Sequence, residues 1–259
     1  MPRRHPHLVP WPAAASPPPV NISQPTFNPD PQIAVVKLGN GRDCYVVDDV
    51  LTDPERLRRF AVAHRPEFVR HESNAFPGLM MGTPAQVNAT LNDFVALHIR
   101  RLLGGRRTVQ MSSRLAMVML PPEMLEPRQC IAHHDASTTA AGQCLGASVL
   151  YLFQDESLGG TGFFEPRKPL AEITRLMDDA CTMSRDQFQQ RHGVGLNYPT
   201  ESNDYFELVG VVPAKWNRMI FYDGAMFHSG HIQAPGRLSA DPATGRLTLN
   251  GFFTFRQSL

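Results

Sequence analysis

The chain has 259 residues, 42% hydrophobic and 19% charged, enough apolar material for a substantial core and too much for wholesale disorder. Lys and Arg total 25 against 24 acids, and a net charge of +1 argues against a nucleic-acid backbone or an anionic membrane as main partner. No apolar run approaches the roughly 20 residues of a bilayer span. Prolines interrupt the stretch after the basic start Met1-Pro2-Arg3-Arg4, where a secretory signal needs continuous apolar residues. The four cysteines, Cys44, Cys130, Cys144 and Cys181, are scattered without a C-x-x-C pair, so neither a disulfide scaffold nor a zinc knuckle is indicated. The expectation is a soluble, cytoplasmic enzyme or ligand binder.

In chain order, residues 1–32 come first as a Pro-rich leader, with ten of the 23 prolines, and are expected to be extended or disordered. A single folded domain is expected over 33–259. Ile33–Leu38 and Cys44–Val47 are rich in β-branched residues, and Gly39-Asn40-Gly41 between them predicts a hairpin. Thr52-Asp53-Pro54-Glu55 reads as a capped helix start leading into Leu57–Ala63. The stripe Val87, Leu91, Phe94, Val95 and Leu102 predicts a second helix over Ala85–Leu103, with His98 on the same stripe as a hydrogen-bonded, part-buried side chain.

From Arg114 the texture becomes strand-like. Strands are expected at Leu115–Leu120, Gln129–His133, Ala147–Phe153, Gly162–Phe164, Phe206–Val212, Arg218–Tyr222, Phe227–Ile232 and Arg246–Phe255. Their lengths and turn-rich separators suit an antiparallel sandwich or barrel. A helical and loop insertion at about 167–205 interrupts them, with Leu170–Gly193 helical and a polar loop after it; such an insertion suits a lid or substrate-binding element.

Three features carry chemistry. In Cys130-Ile131-Ala132-His133-His134-Asp135, His133 and Asp135 are two residues apart, so an extended chain points both to one side, about 7 Å apart at Cα. A neutral imidazole and a hard carboxylate together suit Fe(II), Mn(II) or Zn(II). His228 ends an apolar β-segment, where an imidazole without a partner is costly to bury and a metal would satisfy it. His231 could serve equally. Finally, Arg246, Thr248 and Asn250 alternate with Leu247, Leu249 and Gly251, putting a polar row on one face of a strand. A guanidinium on an inward row calls for an anionic partner. Arg237, in a Pro/Gly-flanked loop, competes with Arg246 for this role.

In this order, from Cys130 to Phe255, the sequence resembles the Fe(II)- and 2-oxoglutarate-dependent dioxygenases, in particular their prolyl-hydroxylase-like branch. Ala147–Asp155 resembles that branch's strand ending in Tyr-Leu, and Leu158–Phe164 its Gly-Gly turn. Val212-Pro213 through Phe221 is similar to its approach to the distal histidine, and Arg246–Phe253 to the strand carrying its co-substrate arginine. With Phe76-Pro77-Gly78, the pattern also resembles a little-characterised bacterial family within this superfamily.

The resemblance implies a mainly β chain with flanking helices, folded as a double-stranded β-helix (jelly roll, cupin-like). It implies His133, Asp135 and His228 as metal ligands and catalytic centre, and Arg246 as partner of the distal carboxylate of 2-oxoglutarate. Tyr151 contributes its hydroxyl there, and Thr248 on the same row counts with them. One departure is visible: Arg246 follows His228 by 18 residues, longer than the family's usual interval, while Arg237 follows by nine. Strand context favours Arg246, with the turn before Gly245 absorbing an insertion. Fe(II), 2-oxoglutarate and O2 are the implied cofactors and co-substrates, and retention of Asp135 favours hydroxylation over halogenation. The implied activity is hydroxylation of an unactivated C–H of a small molecule, amino acid or peptide side chain, with release of succinate and CO2. A non-catalytic metal- or ligand-binding module on the same fold is the alternative. Arg167, Lys168, Arg191, Asn197 and Tyr198 could meet a polar substrate.

Overall fold

The computed structural model describes residues 25–39, 41–70, 75–135 and 140–257. Packing begins ahead of the expected boundary at 32: Phe27 stacks on Phe94 with ring centroids 4.9 Å apart, and Asn28 N–H donates to the Val50 carbonyl at 2.8 Å. The rest of the expected leader, residues 1–24, lies outside the described residues.

Strands β1 (Ile33–Lys37) and β2 (Asp43–Val47) form the expected hairpin. Helix α1 (Pro54–Ala63) begins as its sequence demands, with Pro54 in the first turn and the Asp53 carboxylate accepting from the Arg56 N–H. After β3 (Gly78–Gly82), α2 (Ala85–Phe94) continues into a π-turn over Val95–Ile99. Then come β4 (Gly105–Val118), β5 (Gln143–Tyr151) and β6 (Gly160–Pro166). The insertion is two helices, α3 (Leu170–Thr182) and α4 (Arg185–His192), where one was expected. Ser184 and Gln187 make a capping box that starts α4, and Gly193, at φ 66°, ends it. β7 (Phe206–Val212), β8 (Met219–Asp223), β9 (Phe227–His231) and β10 (Arg246–Gln257) complete the chain.

All pairings are antiparallel. One sheet has the order β1-β2-β8-β5-β10-β4-β3, the other β7-β6-β9. An isolated bridge between His133 and His228 adds a fourth chain segment beside β9. From β4 onward the chain passes to the His133 segment, β5, β6–β7, β8, β9 and β10, alternating between the two sheets. That winding is a double-stranded β-helix, the mainly β architecture with flanking helices expected from the sequence.

The two faces of the large sheet separate cleanly. Leu115, Met117, Leu150, Leu247, Leu249 and Phe253 pack with Leu57 and Phe60 of α1 and Val87 and Leu91 of α2. On the opposite face, Ala147, Tyr151 and Tyr222 meet Phe163 and Val212 of the small sheet. Ile173, Leu176 and Ala180, spaced along one face of α3, pack with Phe188, Phe164 and Phe206 and hold the insertion to the outside of the small sheet.

Two strand expectations are corrected. β4 starts at Gly105, ten residues before the expected Leu115, because the polar run Arg106–Ser113 hides its alternation. Gln129–His133 is not a strand: a 3-10 turn occupies Pro127–Gln129, started by Pro127, and only His133 bridges to β9. Among the described residues no helix is long and apolar enough to cross a membrane.

Candidate metal centre

The His133 segment is anchored by buried Ile131 and Ala132 and stitched to the small sheet by backbone bonds. His133 N–H donates to the His228 carbonyl at 3.0 Å and His228 N–H to the His133 carbonyl at 2.7 Å. Asp135 N–H donates to the Gly224 carbonyl at 2.9 Å. This two-residue step brings His133 and Asp135 together opposite His228. One possible ligand atom from each side chain lies within 4.8 Å of the others. His228 Nε2 and Asp135 Oδ2 are 3.7 Å apart, and the two imidazole centroids 4.6 Å. Ligands about 2.1 Å from one ion stand at most about 4.2 Å apart, so a small side-chain rotation completes a shared site.

Electrostatics point the same way. Burial pushes the His228 imidazole down to about 4; the more exposed His133 is lowered as well, by desolvation within the crowded site and by the neighbouring His228, so both are neutral ligands at neutral pH. His228 Nδ1 lies 2.9 Å from the Met226 carbonyl; donation there leaves the Nε2 lone pair free for the site. Burial raises the Asp135 carboxyl, and its Oδ2 is buried without a hydrogen-bond partner. A buried carboxylate oxygen with nothing donating to it, beside two neutral imidazoles, is the arrangement a divalent cation satisfies. The residues fit such an ion.

Arg246 begins β10 on the same inner face and is 4% exposed. Its Nε donates to the Gly159 carbonyl at 3.1 Å and its Nη2 to the Gly160 carbonyl at 2.8 Å, so backbone dipoles rather than an acid hold it. Burial lowers its pKa, opposed by the nearby Tyr151 and Tyr198 hydroxyls. The Gly159-Gly160 turn therefore does more than reverse the chain. Gly159 sits at φ 89°, and a Cβ on Gly160 would lie 2.0 Å from the Val212 carbonyl oxygen. The Tyr151 hydroxyl lies 2.8 Å from Thr161 Oγ1, and burial pushes its pKa up to about 12, keeping it a neutral phenol. Thr248 is buried on the same row, with its hydroxyl 3.4 Å from the Ala116 carbonyl.

The competitors lie elsewhere. Arg237 is exposed and paired with Asp155 at 2.7 Å and Ser157 at 2.6 Å. His231 Nε2 faces the Thr200 carbonyl at 3.1 Å. His133, Asp135, His228, Arg246 and Thr248 all line one cavity of about 220 Å³ between the sheets. Of the five expected substrate contacts only Tyr198 reaches it, its hydroxyl donating to the Leu120 carbonyl at 2.6 Å. Arg167 and Arg191 pair instead with Glu207 and Asp179, and Asn197 caps the Tyr198 N–H. Thr161 and Arg114 also line the cavity, and neither was foreseen. The Gly-Gly-Thr pattern could have flagged the first; Arg114 lies in the polar run that hid β4.

Residues 29–253 match the family described as "Family of unknown function (DUF6445)", and the chain belongs to it. No curated protein matches. Among solved structures, a Pseudomonas putida prolyl-4-hydroxylase is similar at 13% identity and TM-score 0.42, over 85% of this chain and 95% of that one. The non-heme α-ketoglutarate-dependent carbocyclase SnoK from nogalamycin biosynthesis is similar at 12% and 0.46, over 85% and 80%. HygX from Streptomyces hygroscopicus, solved with nickel and 2-oxoglutarate bound, is similar at 9% and 0.44, over 86% and 84%. The strand order, rather than these distant likenesses, defines the fold.

Proposed function

We propose that the protein is an Fe(II)- and 2-oxoglutarate-dependent dioxygenase that hydroxylates an unactivated C–H of a small molecule, amino acid or peptide side chain. His133, Asp135 and His228 would hold Fe(II), leaving coordination positions open on the cavity side. With 2-oxoglutarate and O2 the iron would supply the oxidising power, releasing succinate and CO2.

The chain's own part is placement. Arg246, buried and lacking an acidic partner, would take a carboxylate, and the neutral Tyr151 phenol, which does not itself line the cavity, would act through the Thr161 hydroxyl that does. The carrying observation is where this grip stands relative to the triad. Arg246 Nη2 is 3.8 Å from the Cβ position of Gly230, which follows His228 by two residues on β9. That step is about 7 Å. A five-carbon diacid, whose four C–C bonds extend to about 5 Å between terminal carbons, can bridge such an interval with one end at each station. Thr248 lines the space between the sheets, the Phe153 ring lies 5.7 Å from the guanidinium, and Arg246 is only 4% exposed, which keeps bulk water away.

Anaerobic protein with Fe(II) and 2-oxoglutarate is expected to develop a weak visible charge-transfer band, lost in His133→Ala and in Asp135→Ala. Arg246→Ala should weaken 2-oxoglutarate far more than Fe(II). Wild-type protein with no band and no succinate formation across a broad substrate panel would refute the assignment.

A further inference from the structure

Resting on the proposed iron and 2-oxoglutarate chemistry, we infer that Arg114 recognises the primary substrate, and that this substrate carries a carboxylate close to the carbon oxidised. Arg114 lies on the inner face of β4, directly across from Asn250 of β10, and lines the cavity that holds the triad. Its guanidinium sits over the Phe252 ring, 4.4 Å from the centroid. Its Nε is buried without a hydrogen-bond partner, and so is Asn250 Oδ1 beside it. Among the described residues Arg114 makes no hydrogen bond or ion pair. Arg246 differs in that two carbonyls already accept from its Nε and Nη2. Arg114 is only partly exposed, and an N–H buried without an acceptor is unfavourable, which a ligand accepting from Nε would relieve.

The nearest counter-charge is Asp135, close enough to favour the charged guanidinium but beyond ion-pair distance. An ion bound by Asp135 would take that carboxylate's charge for itself. With that carboxylate engaged by the ion, Arg114 would keep no counter-charge of its own, and an incoming carboxylate would supply one. In the proposed binding mode both ends of the co-substrate are already engaged, one on Arg246 and one at the triad. Asn250, and with it Arg114, stands four residues along β10 from Arg246. That interval is about 13 Å of backbone, against about 5 Å for the diacid's carbon chain. The Phe252 ring packs against the guanidinium, whose planar fork matches a carboxylate through two parallel bonds.

The test uses full-length protein loaded with Mn(II) and saturating 2-oxoglutarate, titrated calorimetrically with acetate, propionate and benzoate and with the three matching amides. At least one acid should bind about tenfold or more tightly than its amide. That preference should disappear in both Arg114→Met and Arg114→Gln, while their affinity for 2-oxoglutarate stays within about threefold of wild type. Acids binding no tighter than amides, or a preference surviving in both variants, would overturn the inference. Variants that also lose 2-oxoglutarate would reassign Arg114 to the co-substrate and overturn it too. A wild-type protein that binds no 2-oxoglutarate would instead strike the proposed function on which the inference rests.

Discussion

β10 carries two kinds of residue on one backbone. Leu247, Leu249, Phe253 and Phe255 point outward under α1 and α2 and are buried in the main apolar cluster. Arg246, Thr248, Asn250 and Phe252 point inward to the cavity. The outward row is matched by apolar partners, apart from the buried Ser148 Oγ beside Gly251, which has no hydrogen-bond partner. On the inward side Arg114 Nε, Asp135 Oδ2 and Asn250 Oδ1 are buried without partners. Stability and chemistry therefore occupy opposite faces of the same sheet. The helix-backed face gains from burial, and the cavity face bears several buried polar atoms without hydrogen-bond partners.

The largest expected effect lies on the outward face. Leu249 is fully buried, and Leu249→Ala should remove about 2–5 kcal/mol of stability. For a chain of this size that lowers the melting temperature by roughly 5–15 °C. Metal and 2-oxoglutarate affinity, measured at a temperature where the variant is folded, should be unchanged. A matching loss of affinity would show that the two faces are not independent.

Asp135→Asn should do the reverse. The amide is nearly isosteric and replaces a desolvated carboxylate whose Oδ2 has no hydrogen-bond partner, so the melting temperature of the metal-free protein should hold or rise. Divalent-ion affinity should fall by at least about a hundredfold, since even indirect supports of a metal ligand are worth ten- to a hundredfold. A clear drop in metal-free stability, seen by thermal unfolding in chelator, would mean that Asp135 holds the fold together and would break the contrast.

The contrast was half visible in the sequence. Strict alternation from Arg246 to Gly251 assigned both faces of β10, because the period of a strand is two and the outward residues are all apolar or glycine. The H-x-D pair followed from the same geometry, and the three expected metal ligands do converge. Local sequence left His228 and His231 open and the family resemblance favoured His228; strand register brings His228, and not His231, beside His133 and Asp135. Arg246 over Arg237 was decided by strand context, and the exposed pair of Arg237 with Asp155 agrees. Arg114 was out of reach: on the first half of β4 polar residues fall on both faces, so alternation gives no sign of which side is covered. The break between α3 and α4 was legible in principle from the Ser184–Gln187 capping box.

The smallest effect concerns a polar joint removed from both faces. Asp48, at the end of β2, receives Arg218 Nε at 2.6 Å and Nη2 at 3.1 Å, with Lys215 Nζ at 2.9 Å. It secures the turn in which Asn217, at φ 60°, exchanges hydrogen bonds with the Leu51 backbone. The Arg218 hydrogen bond, foremost, holds the Asp48 carboxyl down at about 2, below the 3.8 of a free side chain. A carboxyl lowered on folding stabilises fully above its unfolded value, and the contribution fades as pH falls from about 4 toward 2. Asp48 is about a third exposed, and solvent screening keeps the pair below about 1 kcal/mol. Asp48→Asn should therefore lower the melting temperature at pH 7 by about 2–4 °C at most. The gap to wild type should narrow as the pH drops below 4, while 2-oxoglutarate affinity stays level throughout. A gap that widens on acidification would show that another carboxyl, not Asp48, carries the acid sensitivity of this edge of the sheet.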